Sequence, residues 1–293
     1  MKKVLITGAN SYIGTSFESY IKTKHPAYCS IDTVDVKDES WQSKSFAGYD
    51  SVFHVAGIAH SDSGKISKDK ERLYYSVNTE LAVKTAQKAK ADGARQFIFM
   101  SSAIVYGDSA PIGKEKLITK ETPPSPANCY GDSKLKAEEG LRRLEDESFK
   151  VVILRCPMIY GKGSKGNYPT LSGLARKLPL FPDVKNSRSM LYIENLCEFV
   201  KLMIEDEQTG TFWPQNQGYS NTSELVKLIA AVHGKKLRLV KGFGWALKLA
   251  ALFSGMVNKA FGNLAYSKEL SEYSKNYRVC DLAESIKRTE GGL

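Results

Sequence analysis

The sequence predicts an α/β fold: a parallel, doubly wound sheet with a smaller C-terminal α/β lobe. Three observations predict it. Apolar, β-branched runs at 3–7, 28–36, 51–57, 96–100 and 151–154 are separated by stretches of helical period. The first run stops at Gly8 and leads straight into a helix from Tyr12. At 293 residues and 42% hydrophobic content the chain can bury more than one small core.

Composition narrows the function classes. The apolar run after Met1-Lys2-Lys3 is too short for a signal peptide, and no window approaches a membrane span. Five cysteines (Cys29, Cys129, Cys156, Cys197, Cys280) lie scattered without CxxC spacing, which argues against a disulfide framework or a metal site and for reduced thiols in the cytoplasm. The net charge of +10 comes from lysines spread through helical segments rather than gathered in a basic arm. A local basic site for phosphates is expected, not nucleic-acid binding.

In chain order, the strand–glycine turn–helix opening is the arrangement in which a helix N-terminus faces a pyrophosphate, so the Rossmann type of dinucleotide site is expected. It would use Gly8, Asn10, Ser11, Tyr12, Ile13 and Gly14. The second strand ends near Asp35 and Val36, about twenty residues beyond the loop, where an acid can hold ribose hydroxyls and repel a 2′-phosphate. That favours NAD, with Asp32 and Asp38 as other acids nearby. In the third strand, His54 reads as a packed core histidine, and the small residues at its end let a ligand approach the backbone. Residues 61–72 read as a polar loop and 73–91 as one helix. At the carboxyl end of strand 96–100, where open α/β sheets bind ligands, stand Ser101 and Ser102. Tyr130 and Lys134 are spaced i, i+4 on one helix face. A lysine charge near a phenol favours the phenolate, which suits proton transfer. Tyr106 reads as packing.

These motifs carry a resemblance. Thr7-Gly8-Ala9-Asn10-Ser11-Tyr12-Ile13-Gly14 is similar to the Thr-Gly-x-x-Gly-x-x-Gly loop of the extended short-chain dehydrogenase/reductase family, with Ser11 in place of a glycine, where its hydroxyl either crowds a phosphate or donates to it. Ser102, Tyr130 and Lys134 reproduce the family's Ser-Tyr-Lys set in order. Residues 155–161 resemble its Arg-x-x-x-Val-Tyr-Gly turn, and 187–194 resemble an Arg-Asp-apolar segment of its sugar-nucleotide enzymes.

The resemblance implies NAD as cofactor, bound also through Val55, Ala56, Gly57, Asn78, Ser101 and Pro157. It implies that Tyr130 exchanges the proton of a carbinol, Ser102 orients the sugar oxygen, and Lys134 lowers the phenol's pKa while binding ribose. Met158, Asn167 and Arg188 would meet the substrate, Arg188 gripping a diphosphate. Met158 stands where epimerases usually carry asparagine. Dehydratases typically follow the catalytic hydroxyl residue with Asp-Glu; here Ala103-Ile104 follows Ser102, which disfavours elimination. The activity implied is UDP-sugar 4-epimerisation. The alternatives are an NAD(P)H-dependent UDP-4-keto-6-deoxysugar reductase and, from another class, a nucleotide-sensing module without turnover.

The expected domains are 1–160, binding NAD, with a return near 188–206, and 161–293, binding substrate. Within the second, 221–224 reads as a capping box, 235–240 as a strand and Asp281 as a helix cap. The amphipathic stretch 245–261 would pack the smaller lobe, form a homodimer contact or lie on a membrane surface.

Overall fold

The computed structural model describes residues 1–58, 66–244, 247, 249 and 255–291. The chain forms two compact units, one of Met1–Gly107, Pro124–Cys156 and Leu196–Pro214, the other of Asp108–Pro123, Pro157–Asn195 and Gln215–Leu293.

The first unit holds β1 (Lys2–Thr7), β2 (Cys29–Val34), β3 (Ser51–His54), β4 (Gln96–Ser102), β6 (Lys150–Cys156) and β10 (Gly210–Phe212). They form one sheet in the order β10-β6-β4-β3-β1-β2, with every pairing parallel. A sheet covered on both faces needs apolar residues at consecutive positions rather than alternate ones. β4, Gln-Phe-Ile-Phe-Met-Ser-Ser, is accordingly buried along all but its last residue. Its helices are α1 (Tyr12–Lys24), α2 (Lys68–Tyr74), α3 (Leu81–Ala91), α4 (Cys129–Arg142) and most of α6 (Ile193–Glu205). Ala82, Ala86 and Ala89 of α3 and Ala137 and Leu141 of α4 join Val52, Phe97 and Ile153 of the sheet in one core.

Two local expectations change. Part of the stretch read as a polar loop is helical: Ser67 caps α2 by accepting from Lys70 N, and Asp69 and Glu71 suit the first turn's positive end. The helix read over 73–91 is broken by a π-helical turn at Tyr75–Glu80, which rejoins α3 at Leu81. Residues 59–65 lie outside the described part.

The second unit has three two-stranded parallel pairs: β5 (Leu117–Ile118) with β12 (Ala265–Tyr266), β7 (Met158–Tyr160) with β9 (Met190–Tyr192), and β8 (Leu180–Pro182) with β11 (Arg238–Val240). Its helices are α5 (Asn167–Lys177), α7 (Thr222–Val232), α8 (Gly255–Phe261) and α9 (Leu282–Glu290). Asn221 caps α7 by accepting from the amides of Ser223 and Glu224, and Asp281 caps α9 by accepting from Glu284 N at 2.9 Å. Of the 245–261 stretch, positions 245, 246, 248 and 250–254 lie outside the described residues. No helix among the described residues is long and apolar enough to cross a membrane.

Candidate active site

The glycine loop is built for close approach. Gly8 has φ +111° and its backbone lies so near β3 that a Cβ would stand 2.7 Å from Ala56 N. A Cβ at Gly14 would meet Ser11 Oγ at 2.7 Å and Ile6 Cγ2 at 3.0 Å, so α1 can start hard against β1 only with glycine there. Ser11 is the N-cap of α1, and its Oγ accepts from Gly14 N at 3.2 Å. The first turn of α1 carries no acid, which leaves its positive end open to an anion. The Tyr12 hydroxyl is buried near Cys197 of α6 with no hydrogen-bond partner among the described residues. Gly8 N bonds Val34 O at 2.9 Å, setting the loop beside the end of β2. Of the nearby acids, Asp32 accepts from Tyr49 OH and Asp38 caps a turn at Ser40, whereas Asp35 directly follows β2 with Lys37 as its neighbour.

Gly57 lies where a Cβ would stand 3.1 Å from Asn78 Oδ1 and 3.2 Å from Lys134 Nζ, so its bare backbone leaves room beside both. Asn78, fully buried in the π-helical turn, accepts from Ile58 N at 2.8 Å and donates to Ile58 O and Ser133 Oγ. It holds the chain after β3 against α4. Val55 and Ala56 both donate their amides to Thr7 O at 3.0 Å, while Val36 is buried just past β2. His54 is a core residue as expected: its Nδ1 meets Thr7 Oγ1 at 2.8 Å, its ring stacks near Phe97 and Phe99, and burial pushes its pKa down to about 3. The loop's cradle and the gap at Gly57 fit a dinucleotide.

Ser102 ends β4, and Tyr130 and Lys134 stand one turn apart on α4, capped by Asn128, which accepts from Gly131 N at 3.0 Å. Ser102 hydrogen-bonds the Tyr130 hydroxyl. Lys134 is buried; its Nζ donates to Met100 O at 2.9 Å and lies 4.7 Å above the Phe99 ring. Burial, opposed by Glu138, pushes its pKa down to about 8. The phenol's pKa is raised rather than lowered: burial pushes Tyr130 up to about 12, against the Ser102 hydrogen bond, while the Lys134 ammonium is bonded to Met100 O.

Beneath the set runs a buried network that the sequence did not disclose. Glu138, one turn past Lys134, accepts from Ser101 Oγ at 2.5 Å and from Arg155 Nη2 at 2.6 Å. Arg155 also donates to Tyr106 OH at 2.6 Å, and Trp213 Nε1 donates to the same oxygen at 2.7 Å. Tyr106 is therefore a fixed acceptor within the fold. Since Ser101 pairs with Arg155 across β4 and β6, the network ties α4 to both strands just below Ser102. Pro157 directly follows β6.

The second unit has its own cleft, and it gathers Met158, Asn167 and Arg188 with Ser220, Thr222 and Lys259. The Arg188 guanidinium donates to Gly262 O at 2.9 Å and Ser109 Oγ at 3.3 Å, and among the described residues no carboxylate pairs with it. Burial pushes its pKa down to about 10. Ser220 Oγ is buried without a partner. An arginine lacking an acid, a lysine and an unused hydroxyl on one cleft suit an anion. Ser220, Thr222 and Lys259 escaped the sequence reading. The first two flank the Asn221 cap, and Lys259 reads only as a break in an apolar stretch. No cluster of His, Cys, Asp and Glu among the described residues could hold a metal ion.

Comparison with known proteins agrees with this geometry. The model of the NAD dependent epimerase/dehydratase family matches residues 4–213. The chain is similar to the UDP-glucose 4-epimerase of Vibrio cholerae, 28% identical over 90% of this chain and 86% of that protein. It is similar to the N-acetyl-alpha-D-glucosaminyl-diphospho-ditrans,octacis-undecaprenol 4-epimerase of Escherichia coli O157:H7, 29% identical over 71% of this chain and 64% of that protein. Among solved structures, the dTDP-4-dehydrorhamnose reductase of Clostridium acetobutylicum shares its fold with TM-score 0.74 at 19% identity over 98% of both chains.

Proposed function

Since the chain belongs to the NAD-dependent epimerase/dehydratase family, we propose that it is an enzyme that inverts C4 of a UDP-sugar, with Ser102, Tyr130 and Lys134 as its catalytic residues. The observation that carries this is the Tyr130 phenol, held by Ser102 one helical turn from a buried lysine, in the same unit as a glycine loop that fits NAD. The likeness to UDP-glucose 4-epimerase along nine-tenths of the chain supports it.

Bound NAD would supply the hydride acceptor and donor at C4. Gly8, Gly14 and the N-terminus of α1 would receive its pyrophosphate, Asp35 the adenosine ribose, and Lys134 with Asn78 the space beside Gly57. Tyr130 Oη exchanges the proton of the C4 hydroxyl, which Ser102 orients. With its pKa near 12 the phenol is set to donate to a carbonyl oxygen. Taking a proton needs the phenolate, which a nearby cation favours, and Lys134 is the ammonium on the same face of α4. Arg188, with Lys259 and Ser220, would hold the diphosphate. The free cysteines suit a reducing compartment, and we assign the protein to the cytoplasm.

The test supplies UDP-glucose, UDP-N-acetylglucosamine and their C4 epimers without added cofactor, and separately UDP-4-keto-6-deoxysugars with NADH or NADPH. Interconversion with no net change in nicotinamide absorbance is expected. Stoichiometric loss of reduced cofactor with ketosugar alone would make the protein a reductase, and no turnover in either arm would make it a binding module.

A further inference from the structure

Large apolar side chains are exposed at nine places among the described residues, and five of these, Leu174, Leu178, Leu180, Phe243 and Leu249, fall in two short stretches of the second unit. Leu180 and Phe243 are 52% and 51% exposed. The segment that leads to the second stretch lies along the first: β8 pairs with β11 so that Leu180 faces Arg238, Arg238 N bonds Pro179 O at 3.0 Å, and Lys235 Nζ donates to Arg176 O, with Phe243 three residues past β11. Exposed cations lie between the apolar groups, Arg176 and Lys177 ending α5 and Lys236, Arg238 and Lys241 following along β11. Neither 174–182 nor 235–244 contains an acid, and Asp183, whose amide bonds Val240 O at 2.9 Å, is the acid at their edge. Some exposed lysines elsewhere find carboxylates, as Lys22 finds Glu18 and Lys136 finds Asp132. Among the described residues none of these five cations is so paired.

Single exposed leucines need no explanation, but a group of them interspersed with unpaired cations does. The centre of a protein interface is poor in lysine, whereas an anionic lipid surface takes both components: apolar side chains enter the headgroup boundary and each cation meets a phosphate. We propose that this face of the second unit docks the protein on an anionic lipid bilayer. The proposal is independent of the catalytic reading, since neither stretch holds a residue assigned to it. One helix links the two regions, because α5 lines the cleft with Asn167 and Leu171 and reaches the docking face with Leu174 and Lys177.

The experiment is co-sedimentation of the full chain with vesicles of phosphatidylglycerol and phosphatidylcholine in equal parts, and with phosphatidylcholine alone. Wild type should pellet with the anionic vesicles only, and be released as salt rises from about 0.1 M to about 0.5 M. Lys236→Glu with Arg238→Glu should lower partitioning at least about tenfold. Leu180→Ser with Phe243→Ser should weaken binding and make what remains more salt-sensitive. Lys44→Glu with Lys84→Glu makes the same charge change at exposed lysines of the first unit and should alter binding less than about threefold. All substituted positions are exposed, and unchanged thermal midpoints would confirm folding. Absence of pelleting, equal binding to neutral vesicles, or equal loss in both charge-reversed proteins would overturn the proposal. So would a wild-type dimer that Leu180→Ser with Phe243→Ser turns into a monomer, for then a second copy covers the face.

Discussion

Lys134 and Arg188 are two cations whose pKa is depressed by burial, and they differ in what answers them. Lys134 has a carbonyl, an aromatic face and the field of Glu138, all from its own unit. Arg188 has a carbonyl and a hydroxyl but no carboxylate among the described residues. With a pKa near 8, the lysine can shed its proton close to working pH; near 10, the arginine stays charged. The first cation can tune proton chemistry, while the second can only hold an anion.

The largest effect should come from the group the lysine serves. Tyr130→Phe should lower turnover by roughly two to four decades with NAD binding and thermal stability nearly intact. Near-normal turnover would remove Tyr130 from the chemistry and leave Lys134 a structural cation. Next, Arg188→Ala should weaken UDP and UDP-sugar by about 2–4 kcal/mol in calorimetric titration while NAD affinity hardly moves. If both ligands suffer alike, the contrast between the two cations fails.

A smaller effect follows from pH. Because the native pKa of Lys134 is depressed below the free value of 10.5, unfolding takes up a proton between about pH 8 and pH 10.5, and native stability rises with pH through that window. Turnover should move the other way, falling by about tenfold per pH unit above 8 as the ammonium is lost. Lys134→Met should abolish the pH-dependent stability change, and a profile flat to about pH 10 in wild type would show that the charge is not used. The smallest effect belongs to Ser11→Gly. Glycine is nearly as good an N-cap, so stability should change by only a few tenths of a kcal/mol and NAD affinity by no more than about 1 kcal/mol. A tenfold change in affinity would give Ser11 a ligand role beyond its cap.

The sheet and the proposed catalytic set were legible because each depends on neighbours close in sequence. Continuous apolar runs mark strands buried on both faces, Gly8 and Gly14 mark a tight loop, and Tyr130 and Lys134 share a helix face. What a side chain does there was not legible. Spacing puts Lys134 beside Tyr130, but it does not show that the ammonium bonds Met100 O on β4 or that burial raises the phenol's pKa. The π-helical turn at Tyr75–Glu80 leaves no trace in hydrophobic period, since Asn78 is buried by bonding the backbone at Ile58. The cleft of the second unit was half visible. Arg188 stood in a motif, but Ser220 and Lys259 come from loops and helices whose pattern serves other ends.

The backbone at Arg188 has a kinetic consequence. Arg188 N bonds Ser220 O at 3.0 Å, Ser220 N bonds Arg188 O at 2.9 Å, and Ser189 N bonds Leu264 O at 3.0 Å, so the root of the guanidinium is stitched to two other segments. A receptor finished before its ligand arrives loses little freedom on binding. Association should then run at a similar rate for every nucleotide diphosphate that fits, and preference among sugars should be written in how long each one stays.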